Sequence, residues 1–203
     1  MRNKNGEDHM RKKVLIILLI LLLICIGNAS VNKKYHYSRL NKLQDKLKNK
    51  PEKDKGLVYL QIGYYYANSG EYDTALNNAN KALTIAKKFS DDALKIDVFR
   101  LRGILYSRKN NNEKGILELN KALALSKKNG DIIRQGYTLN NLYGFYRENK
   151  DLINSYNYLK QKLKLDLKSN NPTQIGYTYH LLASTKLSMG DTDNALSYWT
   201  KAY

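Results

Sequence analysis

The sequence predicts an all-α fold of stacked antiparallel helix pairs, an α-solenoid preceded by a hydrophobic leader helix. Three observations carry that expectation. Four segments superpose at a constant offset: 70–83 (GEYDTALNNANKAL), 110–123 (NNNEKGILELNKAL), 150–163 (KDLINSYNYLKQKL) and 190–203 (GDTDNALSYWTKAY). A fixed period of this size marks repeated supersecondary units that bury their apolar faces on one another. Within each unit, apolar residues recur three and four apart, the period of a helix. Between the apolar stripes stand short polar or glycine-bearing breaks, the chemistry that stops one helix and starts the next.

The leader comes first. Arg11, Lys12 and Lys13 precede an unbroken apolar run from Val14 to Ile26, followed by Gly27, Asn28 and Ala29. A basic flank, an apolar core and small residues two apart have the composition of a secretory signal peptide, residues 1–29, cleaved after Ala29. Left uncleaved, the same stretch over residues 14–31 is an N-terminal membrane anchor, although it is short beside the roughly 20 residues of a bilayer span. Both readings export the rest of the chain to the cell envelope, periplasmic or extracytoplasmic, with the basic end left inside. Met10 serves equally as the start of a compact leader. Cys25 lies within the apolar run without the small preceding residue that lipidation needs, and reads as one more apolar side chain. As the only cysteine it allows no disulfide within the chain.

Residues 30–56 form a basic transition segment. Leu40, Leu43 and Leu47 share one helical face, lysines cover the rest, and Pro51 ends the helix. A capping helix over the open end of the array is the expectation.

The array itself occupies 57–203 in four units, 57–90, 91–130, 131–170 and 171–203, the last cut off in mid-helix. In the first unit Tyr59, Ile62 and Tyr66 make one stripe, Ser69 and Gly70 break it, and Ala75, Ala79, Ala82 and Leu83 make the second. The second unit repeats this with Phe99 and Tyr106, then Ile116, Leu119, Ala122 and Leu123. The third has Leu139, Leu142 and Tyr146, then Ile153, Tyr156, Leu159 and Leu163. The fourth has Tyr179 and Leu182, then Ala195, Leu196 and Trp199. Ser90-Asp91-Asp92, Gly130-Asp131 and Asn171-Pro172-Thr173 separate the units with stop and N-cap residues. Because Trp199, Ala202 and Tyr203 belong to a helix that needs a further neighbour, the sequence reads as a fragment of a longer protein.

These residues resemble the tetratricopeptide repeat. The resemblance rests on Tyr59, Ile62, Gly63, Tyr66, Gly70, Ala75 and Ala82; on Phe99, Gly103, Tyr106, Gly115 and Ala122; and on Tyr179, Leu182, Ala183, Gly190, Ala195 and Ala202. Small residues at these columns let antiparallel helices approach closely. Unit three departs, with Tyr143 in the first small column and Lys162 in the last, and a one-residue shift onto Gly144 is the expected compensation. The resemblance implies a right-handed superhelix whose first helices line a concave groove. The family's shortest unit is smaller than these, so the extra residues should lengthen the helices. Longer units of this kind resemble those of bacterial peptide-sensing regulators.

Composition excludes several classes of function. The net charge is +17, but about half of the excess precedes residue 56. In the array, lysines such as Lys87, Lys88, Lys127 and Lys128 fall late in second helices, where they complement the helix dipole. Nucleic-acid binding needs a basic stripe interleaved with exposed aromatics; the tyrosines are expected in packing columns instead, so no nucleic-acid partner is assigned. His9, His36 and His180 have no metal-ligand spacing, and no phosphate loop or nucleophile motif is present. No enzyme activity, metal or cofactor is therefore expected of this segment.

What remains is the groove. The face of the first helices left free by the packing columns carries Gln61, Tyr64 and Asn68, then Arg100, Ile104 and Arg108. Unit three adds Asn140, Asn141, Arg147 and Glu148, and unit four adds His180 and Ser184. Asparagines that donate and accept can hold an extended peptide, and Arg100, Arg108 and Arg147 can grip a carboxylate. Each position alone is equally a solvated helix face. The family's carboxylate clamp needs asparagine one residue after the small column, where Tyr64, Ile104, Gly144 and Ser184 stand. The expected partner is a protein or peptide in the groove, with the membrane a second partner if the leader is retained. Two functions fit: a scaffold or adaptor at the cell envelope, or the ligand-sensing domain of a membrane-bound signal-transduction or transcription regulator whose output module lies beyond residue 203.

Overall fold

The structure, a computed structural model, describes residues 38–202. The leader, Cys25, His9, His36 and Tyr203 lie outside the described residues. The chain divides into two units, 1–48 and 49–203. In the first, α1 covers 38–49, with Leu40 and Leu43 buried and Leu47 partly so, the one-faced spacing that the sequence predicts.

The second unit holds eight helices among the described residues: α2 (Glu52–Asn68), α3 (Tyr72–Lys88), α4 (Asp92–Arg108), α5 (Asn112–Lys128), α6 (Ile132–Glu148), α7 (Leu152–Ser169), α8 (Pro172–Ser188) and α9 (Thr192–Ala202). Most are 17 residues long, so the extra length of each repeat resides in its helices. Among the described residues no helix is long and apolar enough to cross a membrane.

One joint is used throughout. A helix ends on a residue with positive φ: Gly70, Ser90, Asn110, Gly130, Lys150, Asn170 or Gly190. Past it, the next backbone N–H reaches back to a carbonyl of the last turn, as in Asp91 to Ala86 at 2.8 Å and Asp151 to Tyr146 at 2.9 Å. That bond satisfies a carbonyl which the helix end would otherwise leave open. In most joints the residue that makes it then caps the next helix; Glu71 makes the backbone bond without a side-chain cap, and Asn171 caps α8 through its side chain alone. Asp91 accepts from the Leu94 N–H at 2.9 Å, Asp131 from Arg134 at 2.9 Å and Asp151 from Asn154 at 3.0 Å. Each such cap is worth about 1 kcal/mol. Short joints of this kind force each helix back against its predecessor.

Small residues set how closely the helices approach. A methyl group on Gly63 would lie 2.9 Å from a Leu101 methyl, and one on Gly103 would lie 2.6 Å from Leu119 Cγ. Ala75, Ala79, Ala82 and Ala86 are fully buried and form a cluster with Leu60, Leu94, Val98, Leu101 and Leu105. Leu119, Leu123, Leu139, Leu142 and Phe145 form the next, and Tyr143, Leu159, Leu181 and Leu182 a third. Helices touch their neighbours in sequence, α2 also touches α4, and α4 touches α6. The array is thus an open stack and not a closed bundle.

Regularity fails in unit three. Tyr143 is buried in its small column, but the expected shift onto Gly144 is absent, since a methyl there would meet nothing within 4 Å. The aromatic ring is accommodated by the neighbours Leu159, Leu181 and Leu182 instead. No Cα pair within 8 Å joins α6 to α8. The stack opens there.

Candidate functional site

The free face of the first helices carries a polar network across α4 and α6. The Arg100 guanidinium donates to Asp97 at 2.9 Å, and Arg134 on α6 donates to the other oxygen of Asp97 at 3.0 Å. Arg134 also donates to Asp131 at 2.9 Å. Burial alone would raise the Asp131 carboxyl, yet bonds from the Arg134 backbone and guanidinium outweigh it and hold it below its ordinary range. The Arg100 guanidinium lies 5.1 Å from the centroid of the Tyr137 ring. Burial raises the Tyr64 hydroxyl above its usual value; Arg100 opposes that shift and Asp97 adds to it. Tyr64, Asp97, Arg100, Arg134 and Tyr137 therefore share one electrostatic neighbourhood. Two charged hydrogen bonds on one aspartate fix its position.

Next to this network lies the opening between α6 and α8, a cleft of about 700 Å³. Asn140 and Asn141 line it, with Tyr137 and Tyr177 at half-exposed positions. Lys162 and Asp166 of α7, both almost wholly buried, make its floor. Lys162 Nζ donates to Asp166 at 2.8 Å and to Thr178 Oγ1 at 2.8 Å, while the Thr178 hydroxyl donates to Asp166 at 2.6 Å. An ion pair and a hydroxyl thus satisfy one another where preceding units place small or apolar groups. The Asn140 Oδ1 and Asn141 Nδ2 atoms are buried without a hydrogen-bond partner. Buried amides usually find partners, so two unsatisfied atoms on adjacent residues are a standing deficit that is relieved if the side chains turn toward a ligand in the cleft.

Residues 57–89 match the family model described as tetratricopeptide repeat. The same helix pair recurs along the chain at the same offset. The array has the fold of a tetratricopeptide-repeat solenoid. No curated protein matches the chain. Solved structures of similar fold include a signal-transduction ATPase with a tetratricopeptide-repeat sensor from Pyrococcus horikoshii, 18% identical with a TM-score of 0.73. That match covers 85% of this chain and 27% of the other. The aspartyl phosphate phosphatase F of Bacillus subtilis is 17% identical with a TM-score of 0.70, over 83% of this chain and 48% of that one. BtubC from P. vanneervenii is 17% identical with a TM-score of 0.61, over 84% and 70%. This chain thus spans about a quarter and about half of the first two proteins. At such identities the likeness is one of fold.

The predicted groove residues of the tetratricopeptide array fall into distinct groups. Tyr64, Arg100, Asn140 and Asn141 come together, with Ile104 half-buried farther along α4. Gln61, Asn68, His180 and Ser184 are exposed and outside the network and cleft described above. Each of the three arginines already has a neighbour in the structure. Arg100 is held by Asp97, Arg108 approaches Glu148 at 3.9 Å, and Arg147 donates to the Tyr143 hydroxyl at 3.1 Å. Nor do all tyrosines serve packing, because Tyr137 and Tyr177 are half exposed. Asp97, Arg134, Tyr137, Asp166 and Tyr177 escaped the sequence reading, and Lys162 stood in it only as a break in the small column. A signal for three of them was present: one more helical turn toward the N-terminus from Arg100, Asn140 and His180 reaches Asp97, Tyr137 and Tyr177.

Proposed function

We propose that the array is a non-catalytic module that binds an extended peptide or protein segment along its first-helix face. The single observation behind this reading is the pair Asn140 and Asn141, whose unmatched amide atoms stand beside the Asp97 network and the cleft. An amide side chain both donates and accepts, as the peptide backbone does, so adjacent asparagines suit main-chain recognition without demanding one sequence. Among the described residues no group of three or more His, Cys, Asp or Glu is placed to hold a metal ion.

The leader supports an extracytoplasmic setting. The basic Arg11 to Lys13, the apolar run after them and the small residues at Gly27 and Ala29 favour an envelope protein, secreted or held by its leader. In that setting the module acts as a scaffold or adaptor. A second reading, the ligand-sensing part of a membrane-bound regulator, draws on the Pyrococcus horikoshii protein, whose repeats are described as its sensor. The downstream reading frame separates the two: about 20 apolar residues followed by a kinase or helix-turn-helix pattern favour the sensor, and further repeats the scaffold.

The binding test is a selection of peptides from a random display library on the full chain, followed by titration against Asn140→Ala/Asn141→Ala. Loss of about tenfold or more in affinity with an unchanged thermal melt is the expected result, given roughly 1–3 kcal/mol for each truncated hydrogen-bonding partner. Unchanged affinity would overturn the assignment of this face.

A further inference from the structure

We propose that the cleft between α6 and α8 is a selective subsite for an uncharged aromatic residue of the bound peptide. This rests on the peptide-binding reading and names the side chain that the site selects. The cleft's volume of about 700 Å³ lies within the roughly 300–1,000 Å³ of ligand pockets, room for one aromatic residue and the main chain on either side of it.

The walls select a ring. Tyr137 on α6 and Tyr177 on α8 occupy the same position in successive units and stay 54% and 49% exposed. Aromatic rings pair favourably edge to face or offset, so two half-bare rings flanking one opening attract a third. The charges select neutrality. Lys162 is matched by Asp166, while Arg100 and Arg134 share Asp97 and Arg134 holds Asp131 as well. No counter-charge is left over for a ligand, so a lysine or glutamate side chain would be desolvated there without a partner. The amides select a main chain. A residue in extended conformation presents its N–H and its C=O along one edge, and Asn140 and Asn141 together offer an acceptor and a donor.

The test is a set of ¹H–¹⁵N spectra of the full chain titrated separately with N-acetyl-phenylalaninamide, N-acetyl-tyrosinamide, N-acetyl-lysinamide and N-acetyl-glutamic acid amide. The two aromatic amides are expected to shift Gly136, Tyr137, Gln174 and Tyr177 and to bind about tenfold more weakly to Tyr137→Ala/Tyr177→Ala. Both rings are half exposed, so this variant keeps its fold, which a circular dichroism melt checks. Equal or tighter binding of the charged amides would overturn the proposal. So would shifts confined to other helices, or an affinity that the double variant leaves unchanged. Library peptides that bind elsewhere while the aromatic amides still shift these four residues would remove the groove reading and leave the subsite. Peptides that bind the groove with no preference for an aromatic residue would remove the subsite alone.

Discussion

The junction between units one and two and the junction between units three and four are built from the same columns with different chemistry. At the first, Ala82 and Ala86 of α3 and Val98 of α4 are buried and apolar, and the first helices α2 and α4 touch. The middle junction replaces them with Ala122, Ser126 and Thr138, all fully buried, and α4 still touches α6. The last has Lys162, Asp166 and Thr178, and the α6 and α8 backbones come no closer than 8 Å between Cα atoms, meeting only through side chains such as Tyr143 with Leu181 and Leu182. A lysine and an aspartate need more room than two alanines and must satisfy each other. The extra volume on α7 goes with a separation of the helices in front of it. A repeat protein can therefore make a pocket by enlarging two residues on one second helix.

Substitutions at these columns separate the two kinds of junction, and the largest effect is expected at the buried pair. Lys162→Ala leaves Asp166 buried without its cation and should cost roughly 3–5 kcal/mol. Lys162→Ala/Asp166→Ala recreates the alanine pair of unit one and should recover most of that loss. Urea melts of the two variants check this, and equal destabilisation would show that volume rather than charge governs the site.

Close packing at the regular junctions comes next. Gly103→Ala drives a methyl to 2.6 Å from Leu119 Cγ and 3.1 Å from the Gly115 carbonyl, which should cost about 1–3 kcal/mol. Gly144→Ala in unit three meets open space and should gain up to about 1 kcal/mol from helix propensity. Opposite signs for two glycines one residue out of register would sharpen the contrast between the units. The joints rank third. Lys150 holds φ 60° where Gly70 and Gly190 stand in other units, so Lys150→Gly should raise stability by roughly 0.5–1 kcal/mol, the left-handed strain relieved less the added backbone entropy.

The smallest effect is acid dependence. Asp151 is held below its ordinary range by the Asn154 backbone N–H and side chain. Asp191 is held low first by the Lys186 ammonium and then by Asn194. A carboxylate depressed in the folded chain contributes stability that is present above its unfolded value of about 3.9 and is lost as pH falls through the folded value. Asp151→Asn/Asp191→Asn should therefore lower the neutral melt slightly, leave the acid melt nearly as it was, and so flatten the fall in melting temperature below about pH 4. An unaltered acid slope would assign that fall to other carboxylates.

Much of this was legible in the sequence because it is local. Gly70, Asp91, Asn111, Asp131 and Asp151 act through bonds that span five residues or fewer, and the helical stripes repeat in every unit. Tyr143 and Lys162 also stood out as departures, since the columns they break are defined by the other units. The partners of the arginines did not stand out. Arg134 meets Asp97 across a helix interface 37 residues away, a spacing set by how α4 and α6 settle on each other and not by the period. The cleft likewise exists only because α8 stands away from α6, and no stripe on either helix records that distance.

The central claim is that Lys162 and Asp166 hold α8 away from α6 while α4 and α6 stay in contact. Spin labels test it directly, in a Cys25→Ser background, on Ala93→Cys/Ile133→Cys for the closed junction and on Ile133→Cys/Thr173→Cys for the open one. The account predicts a longer distance for the second pair and a shortening of that distance when Lys162→Ala/Asp166→Ala is added. Equal distances for the two pairs, or a second distance indifferent to the alanine pair, would contradict it.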